Sequence, residues 1–280
     1  EASGAPSRSS VAAHRAEAKA AFLPRAERAV ERYGVTVETI DVAGQSCLEI
    51  SPKEDVTGTV LYCFGGGYIS GSAQEDLIVS AALSAGAGTR VVAVEYPLAP
   101  EHPWPAAHEA AWSVFEALQK EDPALAIAGE SAGGNLALTL MLRATQAPSA
   151  VLLFSPWCDL THGGASMQVN DGLDPTLTNA HCLSASDMYA GQTDKARPEI
   201  SPINGDFSAD GPPVMITTGT RDLLLSQCTE LARRMRAAGQ EVRLDVYDGL
   251  WHVFEFYDEL PEARLSLQDC ASFLKRHLRG

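Results

Sequence analysis

The sequence predicts an α/β protein: a mostly parallel sheet covered by helices on both faces. Two observations carry that prediction. Short, strongly apolar runs alternate with helical patterns along most of the chain, the rhythm of a parallel sheet buried on both sides. Two glycine-rich stretches, GGG at 65–67 and GESAGG at 129–134, directly follow such runs. In an open parallel sheet, functional groups gather at the carboxyl ends of the strands.

The elements follow in order. Residues 1–10 are small and polar and are expected to fray. Residues 11–33, rich in Ala, Glu and Arg, read as helix. VTVETIDV (35–42) and CLEIS (47–51) alternate like half-buried strands, and GTVLYCF (58–64) follows as a third. RVVAVEY (90–96) reads as a buried strand, 105–120 as an amphipathic helix, ALAIAGE (124–130) as a strand and 134–145 as a helix. AVLLFSP (150–156) is another strand. Residues 159–208 then break the rhythm with polar and small residues; they read as an insertion, partly helical around 183–190. Alternation resumes with PVMITTG (213–219), a helix at 224–238, EVRLDVY (241–247) and a last helix at 261–278.

Bulk properties narrow the function. The 280 residues fit one large domain or two small ones, and 45% hydrophobic with 20% charged content is ordinary for a soluble globular protein. A formal net charge of −15 argues against nucleic acid or an anionic membrane as main partner, and solubility is sufficient reason for it. The six cysteines form no C-x-x-C pair and no zinc-like spacing with histidine, so they read as free thiols in a reducing compartment, with no metal site. No apolar run approaches the about 18 residues of a membrane span, and the N-terminal stretch lacks a signal-peptide core, which together predict a cytoplasmic protein.

The residue after each strand is the natural place to look for chemistry. Ser131 sits in G-x-S-x-G between a strand and a helix, where a sharp turn exposes the hydroxyl; Gly129 and Gly133 flank it because a side chain there would collide with the adjoining elements. The plainer alternative is a tight turn whose serine caps the helix. A serine nucleophile needs a base. Of seven histidines, His14 and His277 lie in terminal helices, His108 inside a helix, His162 and His181 in the insertion, and His102 in a proline-stiffened loop. Only His252 follows a strand closely. The imidazole needs a carboxylate, and two aspartates lie after strands: Asp222 and Asp248. Asp222 comes from a separate strand end and suits a partner approaching from the side, whereas Asp248 precedes Gly249 in a turn pair. The developing oxyanion requires N–H donors, for which Ala132 and the glycines of 65–67 are placed. A phosphate cradle at these glycines is disfavoured because no lysine follows.

GGGYISGS, YPLAPEHPWPAA, GESAGGNLAL, SPWCDLT, GTRDLLL and WHVF occur in this order. The chain thereby resembles the hormone-sensitive-lipase branch of the α/β-hydrolases, and its bacterial carboxylesterases in particular, over roughly residues 55–280. The resemblance implies an eight-stranded, mostly parallel sheet in a single domain spanning 1–280, with a helical cap from about 1–35 and 159–208. It implies Ser131 as nucleophile, Asp222 as acid and His252 as base. Gly66, Gly67 and Ala132 would donate to the oxyanion, and Tyr68, Trp157 and the 181–190 segment with Tyr189 would wall the pocket. It implies no cofactor, and a monomer or homodimer. The sequence departs from the family where Phe64 replaces the histidine of His-Gly-Gly-Gly and Pro97 replaces an arginine. The expected activity is hydrolysis of small to medium carboxylic esters or lactones. The competing readings are a non-enzymatic small-molecule-binding protein and an amidase or peptidase on the same fold.

Overall fold

The computed structural model describes residues 5–53 and 56–278. Strands β1 (Thr36–Val42), β2 (Gln45–Ser51), β3 (Thr59–Cys63), β4 (Arg90–Val94), β5 (Ala126–Glu130), β6 (Val151–Phe154), β7 (Val214–Gly219) and β8 (Val242–Tyr247) form one sheet. Its order is β1-β2-β4-β3-β5-β6-β7-β8. β2 runs antiparallel to β1 and β4, and the remaining neighbours are parallel. Every residue of β3, β5, β6 and β7 is buried, as their mostly apolar composition and inner position in a sheet covered on both faces require. The edge strands β1 and β8 keep the partly exposed pattern seen in their sequences.

Helices α1 (Val11–Tyr33), α2 (Leu77–Ala87), α3 (Ala106–Glu121), α4 (Ala132–Arg143), α7 (Leu225–Ala237) and α8 (Pro261–Leu278) flank the sheet or its carboxyl edge. The 159–208 segment contains α5 (Ser166–Val169), α6 (Asn179–Ala190) and a 3-10 turn at Pro202–Asn204, and no strand. α6 starts earlier than the sequence suggests because the Thr178 hydroxyl caps it, accepting from the His181 N–H at 3.2 Å.

α2 has no counterpart in the sequence reading. Its residues LIVSAALSAGA are buried nearly all round, between α1, α8 and the sheet. A helix apolar on every side shows no 3.6-residue alternation, so periodicity misses it. Residues 7–10 also differ from expectation: they form a turn closed by Ser7 and Ser10, and the Pro6 carbonyl accepts the Ser184 hydroxyl. The rest of the stretch expected to fray, residues 1–4, lies outside the described residues.

The parallel register sets the strand ends level. Cys63 pairs with Gly129, Glu130 with Phe154, Phe154 with Thr217, and Gly219 with Tyr247. The loops that begin at Phe64, Ser131, Ser155, Thr220 and Asp248 therefore emerge along one edge, and the chemistry collects there. α1 is fastened over the same edge. Arg15 donates to the carbonyls of Ile69 (2.7 Å) and Ala99 (2.8 Å) and forms a two-armed ion pair with Glu101 (3.0 and 2.7 Å). All six cysteines are buried free thiols. Among the described residues no helix is long and apolar enough to cross a membrane, and no cluster of His, Cys, Asp and Glu is placed to hold a metal ion.

Candidate active site

Between β5 and α4 the chain reverses through Ser131, at φ 53° and ψ −115°. A non-glycine residue in this region costs on the order of 1–3 kcal/mol, so the surroundings must impose it. They do so through glycine. A Cβ on Gly129 would lie 2.3 Å from the Gly133 carbonyl oxygen, and one on Gly133 would lie 2.0 Å from that of Cys63. Only bare backbone lets strand, turn and helix approach this closely. The Ser131 side chain makes no capping bond to α4. Its Oγ lies 3.0 Å from His252 Nε2.

His252 Nδ1 lies 3.1 Å from Asp222 Oδ1, so Ser131, His252 and Asp222 form a continuous hydrogen-bonded chain. The Nδ1–H donated to the carboxylate leaves the Nε2 lone pair facing the serine hydroxyl. Asp248 does not take part. It accepts from the Thr220 hydroxyl at 3.1 Å, and that hydroxyl accepts from the Gly249 N–H at 2.7 Å, which shapes the turn after β8.

Asp222 is fully buried and is held from several sides. Oδ2 accepts from the Thr218 hydroxyl at 2.7 Å, and Oδ1 from the Leu224 N–H at 2.8 Å. Burial pushes its carboxyl up, but the His252 charge and the hydrogen bonds from His252, Ser155 and Thr218 outweigh burial and hold it below the usual carboxylate range. Burial alone would lower the His252 pKa. The Asp222 charge and hydrogen bond, helped by Asp174 and Glu130, outweigh it and raise His252 to about 9. Asp174, from the insertion, was not singled out in the sequence. Its Oδ2 accepts the backbone N–H groups of Leu223 (3.1 Å) and His252 (3.2 Å), tying together the loops that carry the acid and the base.

Across the site lies the loop after β3. Gly66 and Gly67 adopt φ 96° and 64°, and a Cβ on Gly66 would fall 2.3 Å from the Ser70 carbonyl oxygen. The Gly66 carbonyl accepts from the backbone N–H groups of Ile69 (3.1 Å) and Ser70 (3.0 Å) and from the Ser70 hydroxyl (3.0 Å). With the carbonyl turned away, the N–H groups of Gly66 and Gly67 have no acceptor among the described residues. Ala132 opens α4, so its N–H also lacks an intrahelical partner. Phe64 braces the loop by packing. Its ring stacks on Tyr96 at 4.0 Å and 5°, and the Tyr96 hydroxyl donates to the Phe64 carbonyl at 2.6 Å.

Two carboxyl side chains sit behind the loop. Glu130 and Asp76 are both buried, and Asp76 accepts from the Tyr62 hydroxyl at 2.9 Å. Burial pushes Glu130 up to about 7 against the pull of His252, and burial with the neighbouring Glu130 charge raises Asp76 well above the carboxylate range. A Cβ on Gly65 would overlap the Glu130 carboxyl at 1.9 Å, which accounts for the first glycine of the three. Nothing in the sequence marks either acid, because neither follows a strand as a loop residue.

Ser131, His252 and the Gly65–Gly67 backbone open onto a cavity of about 180 Å³. Trp157 lines it, as do His181 and Cys182 from the segment expected to wall it. α1 contributes His14, Ala18 and Phe22. Tyr68 and Tyr189 do not line it, which corrects the expectation for both. They are buried, stacked on each other at 3.7 Å, with the Tyr68 hydroxyl donating to Asn135 Oδ1 at 2.7 Å. Their aromatic area is spent on packing the loop and α6 together. His108 is likewise structural, with Nδ1 lying 3.2 Å from Arg143 Nη1.

Comparison with known proteins places the architecture. A family profile for the α/β hydrolase fold matches residues 60–256. An esterase of Acinetobacter venetianus is 32% identical over 249 residues, 85% of this chain and 82% of that protein. An acetyl-hydrolase of Streptomyces hygroscopicus is 32% identical over 260 residues, 90% and 87% of the two chains. The crystal structure of an esterase from the bacterial hormone-sensitive lipase family superposes with a TM-score of 0.84 at 29% identity, covering 87% of this chain and 85% of that one. The chain belongs to the α/β-hydrolase family and, within it, to the hormone-sensitive-lipase branch of esterases.

Proposed function

We propose that the protein hydrolyses small carboxylic esters through an acyl-enzyme on Ser131. The observation that carries this reading is the unbroken Ser131–His252–Asp222 chain facing a small cavity, with unpaired backbone N–H groups on the opposite side. Ser131 Oγ attacks the ester carbonyl carbon as its proton passes to His252 Nε2. Asp222 keeps the imidazole oriented and stabilises the cation that forms. The carbonyl oxygen gains negative charge and is met by the N–H groups of Gly66, Gly67 and Ala132. The tetrahedral intermediate collapses, and His252 gives the proton to the departing alkoxide oxygen. Water then enters, loses a proton to His252 and releases the acid by the same route. Lactones ask for the same steps in ring-closed form. α1 and the 159–208 insertion act as the cap.

The cavity supports a short substrate. Its volume of about 180 Å³ lies below the about 300–1,000 Å³ typical of pockets for drug-sized ligands. The Streptomyces relative, named for acetyl hydrolysis, points the same way. The test is a series of p-nitrophenyl esters of increasing acyl length, with a lactone, on wild type and Ser131→Ala. Expected are best turnover with acetyl or butyryl esters and a loss of roughly 10⁴–10⁶ in kcat for the variant. No turnover of any substrate by the wild type would refute the esterase reading, and retained activity in Ser131→Ala would refute the nucleophile.

A further inference from the structure

His181 stands in the first turn of α6, over the oxyanion loop. A Cβ on Gly67 would lie 3.6 Å from its Nε2. Its ring lines the same cavity as Ser131 and His252 and lies 5.0 Å, centroid to centroid, from that of His14. Several polar groups around this cavity are engaged, and the unpaired indole N–H of Trp157 is buried away from its surface. His252 serves Ser131 and Asp222. The Ser70 hydroxyl donates to the Gly66 carbonyl, which leaves its oxygen to accept from His14 Nε2 at 3.5 Å. Phe22, Leu177 and Val253 give the cavity much apolar wall, alongside the carboxyl side chains of Glu75, Asp76 and Glu130. Among the described residues His181 alone of these imidazoles has no hydrogen-bond partner for either ring nitrogen.

We infer that His181 is a specificity-determining residue that hydrogen-bonds a hydroxyl group of the substrate, so that the enzyme prefers esters carrying a hydroxyl a few bonds from the scissile carbonyl. This rests on the esterase reading above and adds the class of ester. Burial, with the neighbouring His14 and His252, lowers the His181 pKa to about 4, so the ring is neutral across the working range. A neutral imidazole offers one donor and one acceptor, which matches a hydroxyl and favours neither a carboxylate nor an ammonium group. In a chamber with much apolar wall an unpaired polar ring holds water or a substrate atom, and a substrate lacking the hydroxyl leaves it unpaired. Proximity to Gly67 places the bonded hydroxyl near the reacting carbonyl rather than at the tail of a long chain.

Two near-isosteric pairs test this on either side of the ester bond. Ethyl 3-hydroxybutanoate against ethyl 3-methylbutanoate probes the acyl side, and 2-hydroxyethyl butanoate against propyl butanoate probes the alcohol side. In the wild type, kcat/KM is expected to favour the hydroxyl member of one pair by about fivefold, the worth of one net hydrogen bond. In His181→Leu that ratio should fall to one or invert, while His181→Gln, which keeps a donor and an acceptor, should retain part of it. Should the leucine variant not fold, His181→Phe carries the same expectation with more of the volume kept. Wild-type ratios near one for both pairs, or a ratio that survives loss of the imidazole, would overturn the inference. Both outcomes leave the esterase reading intact, because that reading fails only if none of the p-nitrophenyl esters is turned over.

Discussion

The two sides of the site are built on different principles. On the side of β7 and β8, the proposed acid and base are side chains held by a buried hydrogen-bond network: Thr218 and the Leu224 N–H on Asp222, and Asp174 on the backbone of His252. On the side of β3, the proposed working groups are backbone N–H groups, held by steric room at Gly65–Gly67 and by the stacked rings of Phe64 and Tyr96. Side chains must be oriented and tuned in charge, which takes hydrogen bonds. Backbone donors carry no adjustable charge and need only be aimed, which packing can do. Packing of this kind lets a phenylalanine, Phe64, stand where the family resemblance leads one to expect histidine.

The difference can be broken most severely on the charged side. Asp222→Asn should lower kcat by about 10⁴, because the imidazole loses the partner that sets its tautomer. Asp248→Asn, whose carboxylate contacts Thr220 and not the imidazole, should leave kcat within about twofold. The pH profile gives the sign independently. With His252 raised to about 9, its proton-accepting form becomes about tenfold more abundant per pH unit up to that point. kcat/KM should therefore climb from neutral toward alkaline pH. Removing the Asp222 charge, which favours the protonated imidazole, should move that limb to lower pH in whatever activity remains. A limb that stays put would sink the electrostatic account.

On the backbone side the expected effects are smaller. Gly66→Ala sets a Cβ against the Ser70 carbonyl at a positive φ and should cost about 10²–10³ in kcat, the worth of one misplaced oxyanion donor. An unaltered kcat would show that Gly66 does not aim the loop. Smallest is Tyr96→Phe. It keeps the ring stack and deletes the 2.6 Å bond to the Phe64 carbonyl, so stability measured by denaturant should fall by about 1 kcal/mol. If packing holds the loop, kcat should change only a few-fold; a loss comparable to that of Gly66→Ala would mean that the hydroxyl, and not the stack, does the aiming.

The sequence made the strands legible because β3 to β7 are short, mostly apolar runs; their order in the sheet, with β4 between β2 and β3, follows from no local pattern. Ser131, His252 and Asp222 could be picked out for the same reason: each follows a strand directly or within a few residues. Three parts could not be read. α2 hides because burial on all sides erases its periodicity. Asp174 sits in an insertion whose path over the sheet follows from no local pattern, so its proximity to His252 is visible only in three dimensions, whereas the 181–190 segment with His181 is placed at the pocket by the family resemblance. Tyr68 and Tyr189 were misread for a related reason. An aromatic beside a catalytic loop can face the substrate or the protein, and the Asn135 hydrogen bond with the mutual stacking turns both inward.

The clamp of Arg15 on the carbonyls of Ile69 and Ala99 makes the first helix a wall of the reaction chamber. Further along, α1 is also held by Arg25 on Glu259, by Arg32 on Asp258 and by packing on α2, so loosening the Arg15 end alone would widen the entrance without disturbing any reacting atom. For protein engineering, this separates the breadth of accepted substrates from the chemistry. Changes along His14, Ala18 and Phe22 address which molecules are admitted, while the strand ends decide what is done to them.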